Sequence, residues 1–83
     1  MFFVYAIRSL STNRIYIGHT KDFENRLNYH NSGYVTSTSR GKPWTLIALQ
    51  KVVSRDEARW IERNLKNSKG KRTKWIDQNR IER

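Results

Sequence analysis

Phe2-Phe3-Val4-Tyr5-Ala6-Ile7 and, beyond the turn cluster Ser9–Asn13 (SLSTN), Arg14-Ile15-Tyr16-Ile17-Gly18-His19 are the stretches whose reading decides the fold. The first is short, aromatic and β-branched with no breaker, which predicts a buried strand. The second resumes strand-like alternation, and so short a polar connection predicts an antiparallel hairpin. In the second strand Tyr16 and Gly18 share one face while Ile15 and Ile17 share the other. Glycine inside a strand weakens it and usually marks a bulge or the close approach of another backbone or a ligand. Gly18 is therefore the first pointer to a site.

Working outward, Thr20 is a plausible N-cap, with Asp22 and Glu24 placed to favour the positive end of a helix dipole. The helix is expected from about Lys21 to Asn31, stopping at Gly33. Phe23 and Leu27 supply its core contacts, and Arg26 and His30, also four apart, border that apolar stripe. Tyr34 to Lys42 (YVTSTSRGK) reads as a mobile polar loop. Trp44–Val53 follows Pro43 as a third strand. Ser54-Arg55-Asp56-Glu57 matches a capping box, and the helix it opens puts Ala58, Ile61 and Leu65 on one stripe with Glu62 inside it. Gly70 is expected to break the chain before a short helix over Lys71–Asn79. The order β-β-α-β-α-α predicts an α/β (α+β) domain in which helices flank a three-stranded antiparallel sheet.

The 83 residues are 36% hydrophobic and 29% charged, enough for one small domain over residues 1–83. A chain of this size buries only about 60% of its unfolded surface, which excludes large cofactor-binding sheets and membrane bundles. The absence of cysteine excludes disulfides, thiolate zinc sites, iron–sulfur clusters and a cysteine nucleophile, and fits a reducing cytoplasm. The longest apolar run, Phe2–Ile7, is far below the roughly 20 residues of a membrane span. It also lacks a basic flank, so neither a span nor a signal peptide is expected. Seventeen basic residues against seven acidic ones give a net charge of +10. Charge this far from zero speaks of partners, and nucleic acid is the commonest polyanion of a cytoplasm. After Glu62 the chain carries eight basic residues against Asp77 and Glu82, so +6 of the total lies in its last quarter. Lys66, Lys69, Lys71, Arg72 and Lys74 are the expected phosphate contacts.

Glu62 is the residue hardest to read as structure. A carboxylate facing a core costs several kcal/mol unless it is paired or bound to a cation. Two readings follow, an ion pair with a nearby arginine or a divalent-metal ligand. Magnesium takes only one or two protein carboxylates, completing its shell with water and phosphate oxygens. Tyr5 and Tyr16 sit in strands that pair and read as ordinary strand aromatics when taken singly. Arg26 alone reads as a surface cation, and His30 as a satisfied semi-core histidine. Together, a glutamate for metal, an arginine for phosphate charge and a histidine with tyrosines for proton transfer are what phosphodiester hydrolysis requires.

Phe3-Val4-Tyr5 followed by Tyr16-Ile17-Gly18 resembles the paired tripeptides of the GIY-YIG endonuclease superfamily. The resemblance continues through Asp22–Leu27, His30–Gly33, Gly41–Trp44 and Glu57-Ala58 to Lys66. It is that of a small stand-alone member, similar to the N-terminal nuclease domain of the excinuclease C subunit. Phe3 and Val4 depart from the family's Gly and Ile, but only the tyrosine of that tripeptide carries chemistry, and Tyr5 is present. The resemblance implies catalytic roles for Tyr5, Tyr16, Arg26 and His30, a single metal-binding glutamate at Glu62, and Gly18 as a packing residue at the site. It implies one Mg²⁺ or Mn²⁺, no organic cofactor, and a tyrosine base whose pKa Arg26, a phosphate-bound metal and the positive potential of the site lower. Asn64, Asn67 and Asn79 are equal candidates for an assisting asparagine. The implied function is metal-dependent endonucleolytic hydrolysis of DNA, with repair or recombination as the pathways the resemblance suggests. The alternatives are a basic nucleic-acid-binding module, with Trp75, Tyr29, Tyr34 and Trp44 available for stacking, or a subunit that takes its specificity from a protein partner.

Overall fold

Alternation in the first strand sends Val4 and Ala6 to one side of a sheet and Phe3, Tyr5 and Ile7 to the other, and the fold is built on that division. The computed structural model describes residues 1–33 and 36–81. Its elements are β1 (Phe2–Ser9), β2 (Ile15–Thr20), α1 (Phe23–Ser32), β3 (Trp44–Val52), α2 (Arg55–Asn67) and α3 (Lys69–Asn79). A 3-10 segment, Thr36–Gly41, precedes β3. The sheet is antiparallel with spatial order β2-β1-β3. On one side Val4, Ala6, Ile17, Ala48 and Val52 meet Ala58 and Leu65 of α2 and Trp75 and Ile76 of α3. On the other, Tyr5, Ile7 and Trp44 pack with Tyr16, Leu27, Leu46 and Leu49. The predicted β-β-α-β-α-α architecture is the one found, with α1 alone on one face and α2 and α3 on the other.

Three local expectations are corrected. The N-cap of α1 is Asp22, which accepts from the Asn25 backbone N–H at 3.2 Å, while Thr20 completes β2. Hydrogen bonding by Asp22 to both the backbone and the side chain of Asn25 makes it the stronger cap. The boundary between α2 and α3 is Ser68, whose side chain accepts from the Lys71 N–H, and Gly70 lies inside the first turn of α3. The stretch read as a mobile loop holds the 3-10 segment, with Thr38 fully buried, while Tyr34 and Val35 lie outside the described residues. The third strand, placed as expected, carries an irregularity between Leu46 and Ala48. A register shift opposite Ala6/Ile7 puts Ile47 and Ala48 both toward α2 and α3, leaving Leu46 and Leu49 toward α1. Gly33 ends α1 as expected, in the left-handed conformation at φ 86°. Among the described residues no helix is long and apolar enough to cross a membrane.

Candidate active site

Register explains the glycine in the second strand. Tyr5 of β1 pairs with Gly18 of β2, and a Cβ at Gly18 would overlap the Tyr5 hydroxyl and ring carbon. The space left by the missing side chain holds the phenol itself, so the close approach anticipated at Gly18 is made by a side chain. Tyr5 is 2% exposed, and its hydroxyl lies 3.0 Å from His30 Nε2. His30, in the last turn of α1, is fully buried, and its Nδ1 lies 2.7 Å from Thr38 Oγ1. A neutral imidazole has one donor and one acceptor. With Tyr5 O–H donating to Nε2, Nδ1–H donates to Thr38, and the three side chains form one directed chain. Thr38 has no equivalent in the sequence reading, because a threonine in a Ser/Thr-rich segment carries no signal of burial.

Burial sets the protonation of this chain. Desolvation pushes the Tyr5 phenol up to about 12, and the Arg26 guanidinium pulls it back only in part. Of the positive neighbours expected to lower it, Arg26 by itself does not outweigh removal from water. Burial first, and Arg26 second, hold His30 below its ordinary value, so the imidazole is neutral at physiological pH. Arg26 and His30, read as neighbours along one border, divide sharply. The imidazole is enclosed and the guanidinium is exposed to solvent.

Tyr16 pairs with Ile7 and brings its ring 6.4 Å from that of Tyr5 and 4.9 Å from that of His30. Glu62 of α2 is 20% exposed and ion-paired, though not with an arginine. His19 Nδ1 lies 2.8 Å from its Oε1, and Lys66 Nζ 3.1 Å from its Oε2. Lys66 Nζ also stands 5.5 Å from the centre of the Tyr16 ring. Glu62 and Tyr16, from opposite faces of the sheet, thus share one lysine at β2, the strand that pairs only with β1. His19 was missed because histidine after Gly18 falls on the opposite face from Tyr16, and only the overhang of α2 gives it a carboxylate.

Two recesses that share His19 and Arg59 form a groove beside this edge. One part is lined by His19, Lys21, Arg26, Arg55 and Arg59. The next holds His19, Arg59, Glu62, Arg63, Lys66 and Asn67. Arg55, Arg59 and Arg63 recur every four residues along α2, a spacing visible in the sequence and outweighed there by the more numerous charges downstream. None of the groove lining comes from α3, where Lys69, Lys71 and Lys74 are exposed, while Arg72 donates to the Leu65 carbonyl. Trp75 and Trp44 are core residues, and Tyr34 lies outside the described residues. Of the three asparagines, Asn67 lines the groove beside Glu62, whereas Asn64 and Asn79 donate to the Trp60 and Trp75 carbonyls of their own helices.

The family model of the GIY-YIG catalytic domain matches residues 1–76, the span that carries both tyrosines, Arg26, His30 and Glu62. The chain belongs to the GIY-YIG family. No curated protein matches it. GIY-YIG is a nuclease family acting on nucleic acid, and its members generally depend on a divalent metal. Glu62 suits such an ion. Its carboxylate is a hard oxygen donor, each oxygen keeps a lone pair beyond the bonds from His19 and Lys66, and the Lys66 ammonium already occupies a place where positive charge is drawn. Among the described residues no group of three or more His, Cys, Asp or Glu side chains gathers.

Proposed function

We propose that this GIY-YIG protein is an endonuclease that hydrolyses DNA phosphodiester bonds with one divalent ion, Mg²⁺ or Mn²⁺, held by Glu62. The observation that carries the reading is that Glu62 and Tyr16 share Lys66 at β2, while Tyr5 of the neighbouring β1 is bonded to the His30–Thr38 chain. The ion at Glu62 supplies Lewis-acid charge for the leaving oxygen. Tyr5, at about 12, is a phenol at neutral pH and works as a relay. Its oxygen takes a proton from the attacking water as its own proton passes to His30 Nε2. The phosphorus–oxygen bond to the leaving strand end breaks as the water oxygen bonds to phosphorus. Thr38 holds the imidazole in the tautomer that can accept. Arg26 neutralises charge on a non-bridging phosphate oxygen. Lys66, paired with Glu62 Oε2, would together with Arg55, Arg59 and Arg63 hold the strand. Lys69, Lys71, Arg72 and Lys74 contribute a general positive field from α3.

The test is metal-dependent nicking of supercoiled plasmid, with binding followed in parallel at matched salt. Glu62→Gln is expected to abolish nicking and preserve affinity. Tyr5→Phe should lower the rate by about 10²–10⁴-fold, the usual worth of a positioned proton-transfer group. A second reading, a binding module with little cleavage, has one observation in its favour, namely that both Glu62 oxygens are engaged by His19 and Lys66. Wild-type protein that binds DNA yet cuts none with either metal would establish that reading instead.

A further inference from the structure

Across Tyr16 from Glu62 lies a recess of about 340 Å³ that the catalytic reading does not use. Thr12, Arg14 and Ile15 border it from the hairpin, Tyr16 from β2, and Arg40 and Trp44 from the chain entering β3. Its frame is built from fixed parts. The Ser9 hydroxyl accepts from the Ser11 and Thr12 N–H groups and donates to the Gly41 carbonyl, joining the hairpin turn to the 3-10 segment. The Leu10 N–H donates to the Pro43 carbonyl at 2.9 Å. Trp44 is held through its ring N–H to the Thr38 carbonyl and through its backbone by both ends of the Asn31 amide. Gly41 lies so close to the Trp44 ring that a Cβ there would overlap it.

The chemistry of the lining is specific. Tyr16 and the exposed margin of the otherwise buried Trp44 ring make its apolar side. Two exposed guanidinium groups, Arg14 and Arg40, stand at the rim, and among the described residues neither forms an ion pair. A flat apolar body with an anionic group satisfies both features, and guanidinium matches phosphate oxygens or a guanine edge with paired hydrogen bonds. The volume lies at the small end of ligand sites, room for a single nucleotide. A base paired within a duplex cannot enter without leaving its stack.

We infer that this recess holds one unpaired nucleotide of the strand, next to the phosphate at Tyr16, so that the protein favours single-stranded, flapped or gapped DNA over continuous duplex. The inference rests on the nuclease reading only in taking that strand as substrate, and its test needs no cleavage. Full-length protein in EDTA is titrated with thymidine 5′-monophosphate and followed by amide and indole N–H NMR shifts. The largest shifts are expected at Arg14, Ile15, Tyr16 and the Trp44 indole. They should vanish in Arg14→Ala/Arg40→Ala and persist in Glu62→Gln. Inorganic phosphate producing the same pattern, or shifts confined to the α2 groove, would overturn the nucleotide assignment. In a binding assay with oligothymidylate and a duplex of equal length, the double variant should lose about tenfold on the single strand, the worth of one stacked, charge-paired nucleotide, and clearly less on the duplex. Equal losses on both would sink the proposed preference. Nucleotide binding without nicking leaves this inference standing and removes the nuclease reading, and nicking without nucleotide binding does the reverse.

Discussion

Gly18 and Tyr5 act as one unit. Their cross-strand pairing places the phenol over the only position in β2 where a side chain cannot be accommodated. Gly18→Ala forces the ring to move, and overpacking of this kind costs about 1–3 kcal/mol. The variant should show that loss in urea unfolding together with a large loss of nicking, because Tyr5 is displaced from His30. Tyr5→Phe in the same background should recover part of the stability, since the hydroxyl is the atom nearest the new methyl, and none of the activity. Additive losses in the double variant would show that the two residues do not interact.

At the scale of elements, the contrast lies between the two basic helices. α2 places Arg55, Arg59 and Arg63 along the groove, while α3 packs Trp75 and Ile76 against the sheet and leaves its lysines outside that groove. Each phosphate neutralised contributes about 0.9 to the slope of log K against log salt on duplex DNA. Replacing the three α2 arginines by alanine should therefore reduce the slope by about two to three. Replacing Lys69, Lys71 and Lys74 should change it by less than one such contact. Fluorescence anisotropy over a salt series measures both, and the reverse ranking would move the interface to α3. The bulge in β3 has its own consequence. By turning Ile47 and Ala48 to the same side, it allows the edge of β3 to be covered, with Ile81 N–H donating to the Ile47 carbonyl. The edge of β2 stays open for the site.

For the whole molecule, the buried Tyr5–His30 pair ties stability to pH in opposite directions. The His30 pKa is depressed in the fold, so between that lowered value and about 6.5 the unfolded chain binds a proton that the native state does not. Stability should be full above about 6.5 and fall as acid carries the pH down through the folded value. Tyr5 is raised from 10.0 to about 12, so its contribution is present below 10 and lost as the pH climbs toward 12. Urea unfolding of wild type and Tyr5→Phe should diverge in sensitivity only on the alkaline side. Equal alkaline sensitivity in the two proteins would show that Tyr5 is not buried as a phenol. The acid limb also bears on activity, since a protonated His30 cannot take the Tyr5 proton, and nicking should decline at low pH.

Local patterns determined a great deal. Period-two alternation in Phe2–Ile7, the Ser54 capping box and Gly33 after α1 each carry their instruction within a few residues, so strands, helix starts and the order β-β-α-β-α-α were legible in the sequence. Glu62 and Gly18 stood out in the sequence, because a carboxylate inside an apolar stripe and a glycine inside a strand are locally unfavourable. Tyr5, Tyr16, Arg26 and His30, ordinary when taken singly, were joined to them by the resemblance to the GIY-YIG family. Partners were not legible. That Glu62 pairs with His19 and Lys66, that Thr38 receives His30, and that Arg26 of α1 meets three arginines of α2 along the groove all depend on packing across the sheet. Tertiary structure also sets how far burial opposes Arg26 in the pKa shift of the Tyr5 phenol. The sign of that shift is a balance between desolvation and a nearby cation, and burial depth is a property of the assembled chain alone.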